Sequence, residues 1–499
     1  MAAHWSEKWD LVVGLEVHAQ LITASKAYSG DPNAYGDHPN TNISAVTLGL
    51  PGTLPVANKK VIELAVRMGL ATNCTIAPWM HYARKNYFYP DLPKGYQITQ
   101  DKTPICTEGY IEIPIANSAT GDPGSGAGSS TPKMKRIGIT RIHMEEDAGK
   151  SIHDVDPFNT LVDLNRAGVP LIEIVSEPDI RSGEEAYEYL TEIRRLVRYL
   201  DICDGNMEEG SLRCDANISI RPKGSATFGT RCEVKNMNSF RNVQRAIEYE
   251  AQRQSEVLEA GGTISMETRT YDAAKGITIG MRSKELAHDY RYFPEPDLQP
   301  ITVSESMKEA IRKEMPPLPR DLRAKYTEEL GLSAYDAGVL TDDKATALYY
   351  EEVIAKTGNY KGAANWVMGD VRSWVNERGL TMEEFPIPAT QLAAMLRMID
   401  AGQLSHSTAS QKLFPLLVAE PTADPLQLAT TNDLLQDTKE DVIEGIVREV
   451  MARYPDKVEA YRKGNKGLLG LFMGEVMKGT KGKADPKRAN EVVRQLLEN

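Results

Sequence analysis

The chain has 499 residues, of which 41% are hydrophobic and 26% charged, and this length and composition predict a globular protein of about three domains. No apolar run is long enough to span a bilayer, and the N-terminal residues lack the features of a signal peptide. The five cysteines form no C-x-x-C pair, which argues against a disulfide framework and against a cysteine-ligated zinc site. We therefore expect a cytoplasmic protein that makes no membrane contact.

The net charge of −12 argues against nucleic acid binding by the chain as a whole. The charge is uneven, however, because residues 451–499 contain 11 Lys and Arg against 6 Asp and Glu. An acidic body with a basic end fits a protein that binds a metal ion in one place and a polyanion in another. A solvated basic helix end explains the same pattern, and the sequence leaves both interpretations open.

The first 298 residues combine alternating strand patterns with a few amphipathic helices. In residues 11–18, apolar side chains alternate with a set that includes Glu16 and His18, which predicts a half-buried strand. Similar patterns predict strands over residues 110–115, 135–143, 213–220 and 231–236. Helices are predicted over residues 58–74, 182–200 and 239–260, and Ser182 with Glu185 has the spacing of a capping box.

Six prolines between residues 294 and 319 predict a linker or an irregular crossing of the chain. Beyond this segment the hydrophobic pattern is helical to the end of the sequence, without a convincing strand. Helices are predicted over residues 438–452, 468–477 and 486–497.

Residues 149–151 read Gly-Lys-Ser and resemble the end of a phosphate-binding P-loop, which requires a glycine five residues before the Gly-Lys pair. The residue at that position is Met144, so the P-loop is excluded. The sequence contains no other compact nucleotide-binding motif. What this stretch contains is a group of acidic residues in strand-like surroundings.

Acidic residues and a histidine lie on the polar faces of the predicted strands. Glu16 and His18 are two residues apart, and they therefore share one face of the first strand. Glu146 ends another strand, and Glu173 lies in an apolar run where an unpaired carboxylate is costly to desolvate. Carboxylates and an imidazole that converge on a sheet can bind Mg²⁺, which prefers oxygen ligands. Each acid alone is more typical of a salt bridge, and the sequence does not show whether they converge.

Residues 84–96 read RKNYFYPDLPKGY, an aromatic and proline-rich segment from which Lys85 and Lys94 project. Aromatic residues interleaved with basic residues can stack on nucleic acid bases. The same residues can also pack a rigid loop against the body of the protein.

Eight segments in the same order, and a ninth near the C-terminus, resemble one family, the B subunits of the tRNA-dependent amidotransferase GatCAB. The eight segments lie at residues 12–21, 48–59, 84–98, 141–151, 161–182, 207–220, 233–240 and 289–298. They include VVGLEVHAQL, RKNYFYPDLPKGYQI, RIHMEEDAGKS and DYRYFPEPDL. The segment GNKGLLGLFMGEVMK at residues 464–478 is similar to the YqeY-like tail of that family. The resemblance covers essentially the whole chain.

The resemblance implies an α+β fold followed by all-α domains. A glutamine synthetase-like cradle with a largely antiparallel sheet is expected over residues 1–298. A helical domain is expected over residues 299–422, and a YqeY-like tail domain that contacts tRNA over residues 423–499.

The resemblance also implies the conversion of Glu-tRNA(Gln) to Gln-tRNA(Gln), or of Asp-tRNA(Asn) to Asn-tRNA(Asn). ATP and Mg²⁺ phosphorylate the side-chain carboxylate of the misacylated amino acid, and ammonia then displaces the phosphate. The sequence contains no Ser-Ser-Lys glutaminase arrangement. An amidase-like A subunit, a glutaminase, would therefore supply the ammonia, and a small C subunit would wrap the interface.

Individual residues take roles from the same resemblance. The family's catalytic metal ligands match Glu16, His18, Glu146 and Glu173. The loop along the ammonia tunnel contains Lys85 and Lys94, and the tRNA-binding tail contains Lys478, Lys481 and Lys483. Many members bind zinc through four cysteines near positions 29 to 47, where this sequence has none, so no zinc is expected.

Two other functions fit the sequence. One is a non-catalytic subunit that binds tRNA as a scaffold, in which the acids serve only the fold. The other is a free-standing ligase, similar to glutamine synthetase, that uses small amines. Dependence of ATP turnover on misacylated tRNA distinguishes the amidotransferase from both.

Overall fold

The computed structural model describes residues 4–115, 133–281, 290–436, 440–480, 484 and 486–498. The chain divides into two compact units, Met1–Pro319 and Arg320–Asn499. Within the described residues, every helix is too short or too polar to cross a bilayer. The predicted domain boundaries at residues 298 and 422 stay predictions.

The first unit is built on a nine-stranded sheet. Its described residues contain the strands β1 (Trp9–Gln20), β2 (Thr75–Ile76), β3 (Trp79–Met80), β4 (Ala83–Asn86), β5 (Tyr96–Thr99), β6 (Cys106–Pro114), β7 (Met134–Glu146), β8 (Lys150–Ile152), β9 (Leu161–Asp163), β10 (Pro170–Ser176), β11 (Leu212–Pro222), β12 (Cys232–Lys235), β13 (Thr268–Asp272), β14 (Ile277–Gly280), β15 (Phe293–Pro294) and β16 (Ile301–Thr302). The order in the large sheet is β14-β13-β12-β11-β1-β10-β7-β6-β2. Only the β12–β13 pair is parallel among these described strands, which confirms the largely antiparallel sheet.

The helices of the first unit begin at polar caps. They are α1 (Ala45–Leu48), α2 (Lys59–Ala71), α3 (Gly183–Tyr199), α4 (Phe240–Glu259) and α5 (Glu305–Glu314). The Ser182 hydroxyl accepts the Glu185 N–H at 3.1 Å, as the capping box predicts. The other half of the box differs, because the Glu185 carboxylate accepts the N–H of Arg181 at 2.7 Å, one residue before the cap.

One face of the large sheet packs against α2, α3 and α4 and forms the core of the first unit. Leu11, Val13, Leu15 and Val17 of β1 are at most 2% exposed and belong to this core. Burial of each such side chain contributes about 1.5–3 kcal/mol to folding. Successive side chains of a strand point to opposite faces, so the even-numbered residues of β1 lie on the other face of the sheet.

The prediction of a linker between residues 294 and 319 is wrong for most of that segment. It contains β15, β16 and α5, and α5 packs against α2. The prolines stand at its two ends and leave residues 301–315 free of them. In this stretch the Ser304 side chain caps α5 by accepting the Met307 N–H at 3.2 Å.

The second unit is helical throughout its described residues, as predicted. Starting from the unit boundary, its helices are α6 (Pro319–Ala324), α7 (Ala334–Leu340), α8 (Lys344–Ile354), α9 (Tyr360–Trp366), α10 (Arg372–Glu377), α11 (Ala389–Asp400), α12 (His406–Thr408), α13 (Phe414–Ala419), α14 (Pro425–Thr431), α15 (Glu440–Arg453), α16 (Pro455–Arg462), α17 (Leu469–Gly479) and α18 (Pro486–Glu498). The last four of them share a hydrophobic cluster that includes Ile443, Val447, Phe472 and Val493.

Candidate active site on the polar face of the sheet

The face of the sheet opposite the core carries acids and histidines on adjacent strands. His18 of β1 is directly opposite Glu173 of β10, which in turn is opposite His143 of β7. On the other side of β1, Arg213 of β11 is paired with His18. Since directly opposed residues point to the same face, the register alone brings these four side chains into one row.

We define the inner cluster as two residues of this row, His18 and Glu173, together with Glu145. One ligand atom of each residue lies within 4.8 Å of the others. The Glu173 Oε2 atom is 3.3 Å from Nε2 of His18 and 3.4 Å from Nε2 of His143. Glu145 accepts hydrogen bonds from the Thr99 hydroxyl at 2.6 Å and from the Gln97 amide at 3.1 Å. β5 therefore closes the end of the cluster.

The two carboxylates of the inner cluster are paired with the imidazolium of His143, which lies beside the cluster. Burial alone would lower the pKa of His143. Its hydrogen bonds to Glu145 and Glu173 outweigh this effect and raise the pKa to about 9. Burial raises the pKa of Glu145, yet the His143 hydrogen bond outweighs this effect and lowers it to about 2. Burial also raises the pKa of Glu173, but hydrogen bonds from His143 and His18 outweigh this effect and hold the pKa well below its usual range. Buried charges are thus paired, as the desolvation penalty requires.

This pairing predicts a pH-dependent contribution of His143 to stability. The pKa of His143 in the folded protein lies above the unfolded value of about 6.5, so the stabilisation is complete below pH 6.5 and lost as pH rises through about 9. In a chelating buffer, we expect His143→Gln to lower the free energy of unfolding by up to about 3 kcal/mol more at pH 6 than at pH 10.

Urea unfolding of both proteins at the two pH values measures this difference. His153→Gln is the matched control, because His153 is exposed, and it should leave the free energy unchanged at either pH. If His143→Gln lowers the free energy of unfolding equally at pH 6 and pH 10, the charge of the His143 imidazolium does not contribute to stability.

An outer cluster lies beside the inner one and consists of Glu16, Asp215 and Glu233. Their carboxylate oxygens are again within 4.8 Å of one another. The Lys235 ammonium bridges Asp215 at 2.7 Å and Glu233 at 2.9 Å, and the Asn217 amide donates to Glu16 at 2.9 Å. Burial, followed by repulsion from Glu173, raises the pKa of Glu16. A divalent cation would relieve that repulsion.

Three of the four predicted metal ligands share the polar face, and the fourth does not. Glu16, His18 and Glu173 lie there, whereas Glu146 alternates with Glu145 and points to the other side of β7. The Glu146 carboxylate pairs with the Lys94 ammonium and accepts the Ile98 N–H at 2.9 Å. The structure therefore places Glu145 where the sequence analysis placed Glu146.

Glu146 and Lys94 lie in a separate cavity, which we call the Lys94 cavity. Its wall also contains Tyr28, Ser29, Thr47, Gly49, Ile98 and Gly168. The side chains of Lys94 and Glu146 are 10% and 3% exposed, so water hardly reaches the pair. The Lys94 ammonium lies 5.8 Å from the Tyr28 ring centre and 5.4 Å from that of Tyr96.

The remaining predicted residues lie in three places. The Lys85 ammonium is 5.2 Å from the Tyr290 ring centre and 5.8 Å from that of Tyr87. Although burial lowers the pKa of Lys85, Glu145 and other neighbours raise it above its usual value. Lys478 is in the last turn of α17. Lys481 and Lys483 lie outside the described residues.

The sequence analysis missed Glu145, Asp215 and Glu233 as site residues. A signal for Glu145 was present, because it alternates in phase with His143 and out of phase with the apolar Ile142 and Met144. Asp215 lies in the strand predicted over residues 213–220, but its proximity to Glu16 depends on the β1–β11 register. Glu233 reaches the cluster only through β12, a strand of four residues.

Comparisons with known proteins agree over almost the entire chain. The family model of the GatB/GatE catalytic domain matches residues 11–309, and that of the GatB domain matches residues 348–497. A protein of Synechococcus elongatus, named as the B subunit of aspartyl/glutamyl-tRNA(Asn/Gln) amidotransferase, is 50% identical over 495 residues, 98% of each chain. Proteins with the same name from Syntrophotalea carbinolica and Chlorobaculum tepidum are each 49% identical over at least 98% of both chains.

Proposed function

This chain belongs to the family of the B subunits of aspartyl/glutamyl-tRNA(Asn/Gln) amidotransferases, and from that premise we propose that it amidates the amino acid on misacylated tRNA. The substrate is Glu-tRNA(Gln), Asp-tRNA(Asn) or both. A carboxylate is a poor electrophile, so the side chain of this Glu or Asp needs a leaving group. Transfer of the γ-phosphoryl group of ATP supplies one, and ammonia then displaces phosphate to form the amide.

The carboxylate-rich face of the sheet is the observation that supports the phosphoryl-transfer step. The inner and outer clusters together offer five carboxylates and one imidazole, which is a donor set suited to Mg²⁺. We propose that His18, Glu145 and Glu173 hold one ion and that Glu16, Asp215 and Glu233 can hold another. Bound there, Mg²⁺ would neutralise charge on the phosphate oxygens.

Lys85 is a positive group of this chain that acts on the inner cluster. Nearby carboxylates, with Glu145 foremost, raise its pKa and keep it protonated. The rings of Tyr87 and Tyr290 lie next to each other beside its charge and limit its contact with water. A fixed ammonium in such a site favours an anionic phosphoryl group, so Lys85 would bind and orient that group.

The Lys94 cavity and the inner cluster lie on opposite sides of the end of β7, because the consecutive residues Glu145 and Glu146 point to opposite faces of that strand. We propose that ammonia passes through this cavity, between Lys94 and Glu146, to the phosphorylated carboxylate. Low exposure of both side chains would protect that intermediate from hydrolysis by water. The ammonia would come from the amidase-like A subunit, and the small C subunit would lie at the interface.

The basic C-terminal end is the part of the chain that we assign to tRNA. Lys478, together with Lys481 and Lys483, would bind backbone phosphates, and such binding weakens steeply as salt concentration rises. Because these substrates belong to protein synthesis, we propose that the reaction takes place in the cytoplasm.

A transamidation assay of the complex co-purified with its two partner subunits tests the proposal. Both misacylated tRNAs are supplied with glutamine, and the amino acid released from the tRNA is analysed with ATP and Mg²⁺ present or with a chelator added. We expect Gln or Asn to form only with ATP and Mg²⁺, and ATP turnover to require misacylated tRNA. Amide formation without ATP, or ATP turnover with free glutamate and ammonia alone, would contradict it.

A further inference from the structure

Asp31 is the centre of a hydrogen-bonded knot outside the acidic clusters. Its Oδ2 atom accepts the Ser29 hydroxyl at 3.0 Å, the Ser44 hydroxyl at 2.8 Å and the Ser44 N–H at 3.0 Å. The Thr47 hydroxyl also donates to it, and the hydroxyls of Ser29 and Thr47 are 3.0 Å apart. We call these four residues, Ser29, Asp31, Ser44 and Thr47, the Asp31 knot. One carboxylate thus ties together two segments of the chain.

The knot is fixed to the body of the first unit by a buried lysine and an asparagine. Lys26 is fully buried, and its ammonium donates to the backbone carbonyl of Asn42 at 2.6 Å. The backbone N–H of Asn42 donates to the side chain of Asn165 at 2.8 Å. The loop that Asp31 closes therefore cannot shift as a whole without breaking buried hydrogen bonds.

The knot also holds α1 in place. Ser44 is the residue before α1, and Thr47 lies within it, so both ends of this single turn are held by Asp31. The helix stops at Gly49, whose φ of 65° is the left-handed conformation that glycine adopts readily. A Cβ atom on Gly49 would lie only 2.6 Å from Cγ of Lys94. The backbone at Gly49 is thus a wall against which the Lys94 side chain rests.

We propose that Asp31 is a positioning residue that, through α1 and Gly49, holds Lys94 in place against Glu146. The inference rests on the proposed function, because it assigns the knot a role only through the Lys94 cavity. A free lysine side chain has many rotamers, so an ion pair on a narrow route needs a rigid wall to keep one geometry. Ser29 and Thr47 of the knot are themselves part of the cavity wall.

A double-mutant cycle on the intact complex tests this role. We expect Asp31→Ala to lower kcat of glutamine-driven amidation by about tenfold or more, because small misplacements of reacting groups have effects of that size. The KM for ATP should not change. In the Lys94→Met background, Asp31→Ala should lower the rate further by no more than about twofold, since its effect passes through Lys94.

Two further variants make the cycle decisive. Asp37→Ala is the matched control, because Asp37 is an exposed acid of the same loop whose carboxylate, among the described residues, accepts only the Asn42 side-chain amide, at 2.8 Å. It should retain wild-type activity. Gly49→Ala leaves the hydrogen bonds of Asp31 intact but pushes on Lys94, and it should reproduce the loss seen with Asp31→Ala. If the Asp31→Ala chain does not assemble with its partner subunits, Gly49→Ala tests the positioning role in its place.

The outcomes separate the inference from the function on which it rests. If Asp31→Ala, or Gly49→Ala in its place, lowers the rate equally in the wild-type and Lys94→Met backgrounds, the positioning role is wrong and the proposed function stands. If Lys94→Met itself keeps full activity, both the ammonia route through Lys94 and the positioning role are wrong.

Discussion

Glu173→Gln is expected to lower ATP-dependent amidation by about 10²–10³-fold, with an equal fall in tRNA-dependent ATP turnover. Glu173 is the central carboxylate of the polar face, within 3.4 Å of two histidines and opposite both on neighbouring strands. Glutamine preserves the volume of the side chain but removes the charge that would bind Mg²⁺. Steady-state rates of the purified complex, with Mg²⁺ varied, provide the measurement.

Glu177→Gln is the matched control for this substitution. Glu177 follows the same strand and is exposed. Among the described residues, its carboxylate accepts a hydrogen bond only from the Thr140 hydroxyl, at 2.8 Å. It should keep wild-type activity. A Glu173→Gln complex that is folded and retains activity within about twofold of wild type would remove the inner cluster from the mechanism.

Glu250→Ala is expected to lower the free energy of unfolding by about 3–5 kcal/mol, the range for a buried ion pair that loses one partner. Glu250 of α4 is fully buried. Its carboxylate accepts two hydrogen bonds from Arg253, at 2.6 and 3.0 Å, and one each from Gln254 and Thr278. The Arg269 guanidinium of β13 is a further 3.4 Å neighbour. Without Glu250 these donors would lose their shared acceptor beneath the edge of the sheet.

Urea unfolding of the full chain, followed by circular dichroism, measures the loss. Glu256→Ala on the same helix is the control, since Glu256 is exposed and its carboxylate accepts only the Gln252 amide, at 2.7 Å, among the described residues. Surface substitutions of this kind change stability by about 0.5 kcal/mol or less. Similar free energies for the two variants would show that the buried network contributes little.

The elements that the sequence predicted well are those with a strong local signal. The strand around Leu11 to Val17 and the helix capped by Ser182 each combine a clear period with a clear start, and both are present. The helix α5 was not predicted, because the prolines were counted over the whole segment although they lie on either side of the helix. Its start at Ser304 was readable as a cap.

The sequence predicts the site residues that follow from a local pattern, but not those whose position depends on how the strands pair. Glu16 with His18 follows from the two-residue period of one strand, and Glu173 follows from an acid within an apolar run. Glu145 could also have been identified, because it alternates in phase with His143 and out of phase with the apolar Ile142 and Met144. The outer cluster requires β11 and β12 to pair in one register, and no local signal in the sequence contains that information.

During synthesis, β1 leaves the ribosome long before either of its neighbours in the sheet. β1 ends at Gln20, whereas β10 starts at Pro170 and β11 ends at Pro222, so roughly 200 further residues must be made first. At about 5–20 residues per second this takes on the order of 10–40 s. The edge of β1 that pairs with β11 stays uncovered for all of that time, and the edge that pairs with β10 for roughly three quarters of it, which makes β1 an aggregation-prone segment of the nascent chain.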